Sequence, residues 1–270
     1  MLNMKQAPKQ AAQQAPKLDT YPGLGKPKRP SNLRFLVAGT EGIGKTTLGA
    51  KFPKPVFLPL EDGLISVCED SNVDAFDLVE NMDDCRAAMK FLEDSNHGYR
   101  TLVVDSITAL TGLMEAEIMK GEKKAQSINQ ALGGYGAGQA ALASKCGKFC
   151  LVCRSLMRSK KMHIVWIGHE IVETVQPPDS TSYDRRTIAG AKKAIAPFLQ
   201  NADVVGFIRE SIETVTEGKG DNKREIGVGL GTREIMCMPE AGSVAKNRLG
   251  IKEPLPFSAE GGNPFEKWVN

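Results

Sequence analysis

The chain has 270 residues, 41% hydrophobic and 25% charged, the composition of an ordinary globular protein with room for one α/β domain and a full core. No apolar run approaches the roughly 18–20 residues of a membrane-spanning helix, and the N-terminus lacks the apolar core of a secretory leader, so no membrane partner and a cytoplasmic location are expected. The net charge of +3 hides a division: residues 1–30 carry six basic side chains against one acid, +5, which leaves −2 for the remainder. Nucleic-acid contact, if any, has to come from a local patch or from that segment rather than from the whole body.

Residues 1–30, rich in Gln, Ala, Pro and Lys, are predicted to form a disordered basic tail. The core domain is expected over 31–257 and a Gly-rich C-terminal tail over 258–270. From residue 33 onward, short β-like apolar runs alternate with helical stretches, the pattern of a mostly parallel sheet flanked by helices. Strands are predicted at 34–38, 55–60, 101–105, 162–168 and 203–208, and helices at 45–52, 83–95, 107–120, 138–160 and 190–200. A late β-hairpin is predicted from Glu225–Leu230 and Arg233–Met238, with Gly231-Thr232 as its turn.

The first strand runs into Gly39-Thr40-Glu41-Gly42-Ile43-Gly44-Lys45-Thr46, a complete G-x-x-x-x-G-K-[ST] phosphate-binding loop, with Thr47 opening a helix. Glycines allow successive backbone N–H groups to curl around a polyphosphate, and the helix start adds a positive dipole end. Lys45 is expected to reach the β- and γ-phosphates and the Thr46 hydroxyl to ligate Mg²⁺. Sixty positions later the apolar run Thr101-Leu102-Val103-Val104 ends in Asp105, a carboxylate placed to hold Mg²⁺ through water. Between them in sequence, the strand from Pro55 ends in Glu61-Asp62. A carboxylate there can polarise an attacking water, with Glu61 the first choice and Asp62 the second. The strand Met162–Gly168 delivers His169, a candidate sensor of the terminal phosphate, whereas His97 and His163 read as structural.

Cys146, Cys150 and Cys153 have the spacing of an iron–sulfur motif, but positions i, i+4 and i+7 also share one helix face. The expectation is three buried small hydrophobes rather than a cluster.

Taken in order, these pieces resemble the RecA-like P-loop ATPases, and among them the small phage-encoded ATPases of the Sak type, AAA-type nucleotide-binding proteins linked to single-strand annealing and recombination. The likeness spans about residues 33–257. It is carried by Gly-Ile-Gly-Lys-Thr-Thr-Leu with Phe52-Pro53, Val103-Val104-Asp105-Ser106-Ile107, Gly168-His169-Glu170 and Asn201-Ala202-Asp203-Val204-Val205. Pro59 departs from it, standing where the family usually has an aspartate two positions before the strand-end glutamate. The resemblance implies ATP as cofactor with Mg²⁺, DNA-stimulated hydrolysis, single-stranded DNA as partner, and a homo-oligomeric ring or filament. It also implies a single-strand-binding protein as a candidate partner, and host cytoplasm as the location if the chain is phage-encoded. Lys246-Asn247-Arg248 resembles the Lys-x-Arg element that RecA-fold helicases insert into a neighbour's site, so Lys246 and Arg248 are candidate catalytic cations in trans. Loop 171–190, with Tyr183, Arg185 and Arg186, followed by Lys192 and Lys193, takes the place of a DNA-binding loop, and Gly133–Gly138 is a second flexible-loop candidate. The competing readings are a helicase-loading or DNA-remodelling ATPase and a P-loop small-molecule kinase. Against the kinase stands the acidic strand between the strand of the phosphate-binding loop and the strand ending in Asp105.

Overall fold

The computed structural model describes residues 25–27, 30–69, 72–122, 124–217 and 224–270. Ser31–Asn270 forms one compact unit. The expected basic tail lies outside the described residues apart from 25–27 and Pro30.

The strands are β1 (Arg34–Gly39), β2 (Pro55–Pro59), β3 (Asp74–Ala75), β4 (Thr101–Asp105), β5 (His163–Val175), β6 (Tyr183–Ile188), β7 (Val204–Glu217), β8 (Arg224–Met236), β9 (Lys246–Asn247) and β10 (Leu255–Phe257). Among the described residues six α-helices accompany them: α1 (Lys45–Ala50), α2 (Met82–Asp94), α3 (Ile107–Met119), α4 (Ala137–Ser159), α5 (Lys192–Asn201) and α6 (Glu266–Val269). In space the sheet runs β10-β8-β7-β1-β5-β4-β2-β3, parallel from β7 to β3, with β8 and β10 antiparallel at one side. The expected mixed α/β fold with a mostly parallel, helix-flanked sheet is what is found.

Alternation along β1 shows why the central strands are apolar on both faces. Leu36 and Ala38 pack with residues of α2–α5 on one side. Phe35 and Val37 pack with Leu48 of α1 and with Phe265 and Val269 on the other. A parallel strand covered on both faces has no solvent side to keep polar. Helix starts are set by short polar side chains: Asn81 accepts from the N–H groups of Asp83 and Asp84, and Ser106 from that of Ala109.

Four expectations need correction. The two late runs form one strand, β8, whose hairpin partner is β7; Gly231-Thr232 is a bulge within it. Arg233 stands opposite Glu210 and Gly229 opposite Ile212, so three β8 residues face Ser211 alone. Gly231 adopts φ +67 and donates its N–H to Glu210, and a glycine with positive φ suits a bulge as well as a turn. Second, residues 258–270 are no free tail: Phe265 is fully buried against Phe35 and Phe52, and Lys51 donates to the Ala259 carbonyl. Burying an aromatic ring of this size contributes about 2–3 kcal/mol. Third, loop 171–190 is largely a β-hairpin, because β5 continues to Val175 and β6 pairs back along it. Last, the strand that lies between β1 and β4 in space is β5; the acidic strand β2 sits outside β4.

The three clustered cysteines lie buried on one face of α4, and burial pushes the Cys146 and Cys150 thiols up to about 11 and about 12. They pack as small apolar groups.

Candidate nucleotide-binding site

Parallel strands end along one edge of the sheet, and four of them deliver the cleft's residues there. From β1 comes the loop 39–44, from β2 Glu61 and Asp62, from β4 Asp105, and from β5 His169. The cleft has a volume of about 450 Å³ and is lined by Glu41, Gly42, Gly44, Lys45, Thr46 and Thr47 of the loop, together with those four residues.

The loop's glycines are required by its geometry. Gly42 and Gly44 have φ values of +69 and +101, which disfavour any residue with a Cβ. A Cβ on Gly39 would stand 2.9 Å from the Ile208 carbonyl oxygen. No side chain caps the start of α1, so its first N–H donors are left for an anion.

Lys45 is buried and its ammonium donates to the carbonyls of Gly39 (3.2 Å) and Thr40 (2.8 Å). Burial lowers its pKa, opposed by the nearby charges of Asp105 and Glu61. The Thr46 hydroxyl donates to Asp105 Oδ2 at 2.7 Å. Asp105 is 3% exposed. Desolvation raises its pKa, and the Thr46 hydrogen bond and Lys45 only partly offset that.

Glu61 and His169, 108 positions apart, meet across the mouth of the cleft: His169 Nε2 lies 3.0 Å and 3.2 Å from the two carboxylate oxygens. Asp62, the second choice for a base, is exposed in the same cleft. Pro59 is buried in register with Asp105 at the end of β2.

Hydroxyl and carboxylate side by side beneath a phosphate loop are the oxygen donors that Mg²⁺ accepts, with water completing its shell. Among the described residues no group of three or more His, Cys, Asp and Glu could hold a metal by itself. The Thr46 hydroxyl and the Asp105 carboxylate fit a Mg²⁺ shared with phosphate oxygens.

A family model described as an AAA domain matches residues 31–249. The chain belongs to this AAA-domain family. Membership makes it a P-loop ATPase by family, and such ATPases bind ATP with Mg²⁺ in general. No curated protein matches the chain. No helix among the described residues is long and apolar enough to cross a membrane.

Other expected site residues lie elsewhere on this AAA domain. Lys246 and Arg248 flank the start of β7, at the strand-start edge of the sheet. Five steps of about 3.3 Å along β1 separate that edge from the loop, roughly 16 Å. Lys246 donates to the carbonyls of Leu199 and Gln200 at the end of α5, and Arg248 shares Asp203 with Arg34. They do not enter this chain's own cleft.

The basic residues of the β5–β6 hairpin are held by its own acids. Arg185 and Lys192 bind Glu173 at 2.6 and 2.7 Å, and Arg186 binds Glu170 at 2.8 Å. Lys193 is exposed. In the Gly-rich segment, Leu132 to Gly136 all have positive φ, and Tyr135 is fully exposed. His163 is buried, accepting from the Leu33 N–H, and His97 bonds the end of α2.

Three cleft residues were not foreseen, Gly63 and Ser66 close after Asp62 and one far along the chain. Arg233 of β8 lines the same cavity. Its approach depends on the β8 bulge and on β10, neither of which has a local signature.

Proposed function

We propose that this AAA-domain protein is a RecA-like ATPase that hydrolyses ATP with Mg²⁺ and acts on single-stranded DNA, in strand annealing or recombination of the phage type. The observation that carries the hydrolytic part is the convergence of the Thr46–Asp105 pair, Lys45 and the Glu61–His169 pair on one cleft.

In this reading residues 39–47 bind the polyphosphate with backbone N–H groups. Lys45 exchanges the Gly39 and Thr40 carbonyls for phosphate oxygens. Thr46 and Asp105 hold the Mg²⁺, which supplies charge neutralisation at the phosphates when bound. Glu61 orients a water and accepts its proton. His169, hydrogen-bonded to that carboxylate, is the sensor, midway along β5 where its parallel pairing with β1 ends.

DNA action is supported by the continuity of β5, which runs from His169 into the hairpin bearing Arg185 and Arg186, with Lys192 and Lys193 just beyond. The fully exposed Tyr135 offers a ring on which a base can stack. A ring or filament of copies is the assembly this reading calls for, with Lys246 and Arg248 as candidate contributors to a neighbour's site and a single-strand-binding protein as a further partner.

The test is ATP turnover with and without single-stranded DNA, for the wild type and for an Arg185→Ala/Arg186→Ala variant. Stimulation by DNA that the double variant loses is expected. Turnover indifferent to DNA would remove the DNA half of the proposal and leave an ATPase with another client.

A further inference from the structure

Six arginines of the domain are matched to carboxylates: Arg34 and Arg248 to Asp203, Arg86 to Asp83 and Glu117, Arg185 to Glu173, Arg186 to Glu170 and Arg209 to Glu234. Of the arginines left without a carboxylate partner among the described residues, Arg233 alone lines this cleft. It is only partly exposed, it lines the cleft with Lys45, Glu61 and Asp105, and no carboxylate among the described residues pairs with it. Its guanidinium lies directly over the phosphate loop: a Cβ placed on Gly44 would stand 3.1 Å from Arg233 Nη1 and 3.0 Å from the Phe257 ring.

The position is built by non-local structure. The β8 bulge, pinned by the Gly231 N–H on Glu210, sets the register of Arg233, and β10 places Phe257 beside it. An unpaired guanidinium held over a glycine of an anion-binding loop costs desolvation unless an anion answers it, and its planar fork matches phosphate oxygens.

We infer that Arg233 is the site's own arginine, a cation that binds the polyphosphate from within the same chain. This rests on the reading of the cleft as a nucleotide site. It is separate from the expectation of a cation supplied across a subunit boundary, which Lys246 and Arg248, at the far edge of the sheet, would meet in a neighbour's cleft. It predicts that each copy supplies this charge to its own cleft, whatever assembly adds to it.

The experiment measures MgATP binding by calorimetry and ATP hydrolysis for wild type, Arg233→Ala, Arg233→Gln and Arg233→Lys, with thermal melts to check folding. Arg233→Ala and Arg233→Gln should bind about tenfold or more weakly and turn over about a hundredfold more slowly, with Arg233→Lys between them and wild type. The decisive arm mixes Arg233→Ala with Lys45→Ala. If Arg233 acts within its own chain, the mixture stays inactive. If it acts on a neighbour, mixed assemblies recover turnover, because one copy supplies Lys45 and the other Arg233, and the inference falls. Binding and turnover unchanged in a folded Arg233→Gln would also overturn it while leaving the ATPase reading intact. Arg233-dependent binding in a wild type that does not hydrolyse ATP would remove the hydrolytic reading and keep the inference. A wild type that binds no MgATP would end both.

Discussion

The nucleotide cleft and the β5–β6 hairpin both gather basic side chains, and they use them in opposite ways. In the cleft, Lys45 bonds only to carbonyl oxygens and Arg233 has no carboxylate partner among the described residues. In the hairpin Arg185 and Arg186, and just beyond it Lys192 of α5, are each held by Glu170 or Glu173. A cation bonded to neutral groups keeps most of its attraction for an incoming anion, whereas one already in an ion pair has to break that pair first. The cleft is therefore ready for a polyphosphate. For the hairpin to serve as the proposed DNA surface, its internal pairs have to be exchanged for phosphate contacts.

The largest effect expected from this contrast lies in the cleft. Glu61→Gln keeps the side chain's size and its contact with His169 but removes the proton acceptor, so turnover should fall about 10²–10⁴-fold. MgATP binding should stay within a few-fold of wild type, as read by calorimetry beside a turnover assay. Equal loss of binding would show that Glu61 acts by shaping the site.

Gly44→Ala should follow. The left-handed backbone at φ +101 costs an alanine about 1–2 kcal/mol. The added methyl also meets Phe257 and Arg233 at 3.0 and 3.1 Å. At least tenfold weaker MgATP binding is expected, with a small drop in melting temperature.

The hairpin side is probed by freeing its cations. Glu170→Gln with Glu173→Gln should raise affinity for single-stranded DNA several-fold. The three freed cations, Arg185, Arg186 and Lys192, would steepen the log–log salt dependence by about 2 if each meets a phosphate. No change in slope in a fluorescence-anisotropy titration would mean that these residues do not meet DNA.

The smallest effect is one of stability. Asp105 is buried and its folded pKa is raised above 3.8, chiefly by desolvation. Between the unfolded and folded values the native state holds more protons, so wild-type stability falls as pH rises through that window and stays lower above it. Without nucleotide, Asp105→Asn should therefore melt a few degrees above wild type near pH 7.5, about 1 kcal/mol. The gap should close as pH falls below the unfolded value. Hydrolysis should be lost in the same variant, which separates a functional carboxylate from a stabilising one.

What could be read from the chain follows the range of each interaction. The loop 39–46 and the strand ending in Asp105 are legible because their signals are contiguous: glycine spacing, an apolar run, a terminal carboxylate. Glu61 and His169 are each legible as strand-end polar groups, yet their contact is not, since it depends on β4 pairing with both β2 and β5 and so bringing two distant segments to one edge. Arg233 is invisible for the same reason. Gly231-Thr232 misleads because a positive-φ glycine serves a bulge and a hairpin turn alike. The segment 258–264 looks like a tail by composition, and only Phe265 and Val269, buried against β1 and α1, reveal that it is anchored. The ion pairs of Arg185 and Arg186 escape a count of basic residues, because a count does not show which strand lies opposite.

The most direct test of the account is Mg²⁺-dependent ATP hydrolysis by the purified protein beside Lys45→Ala, with binding of MgATP measured on both. The account predicts turnover at least a hundredfold above that of the variant, together with tighter binding. Equal turnover in the two proteins, or no MgATP binding by the wild type, would contradict it.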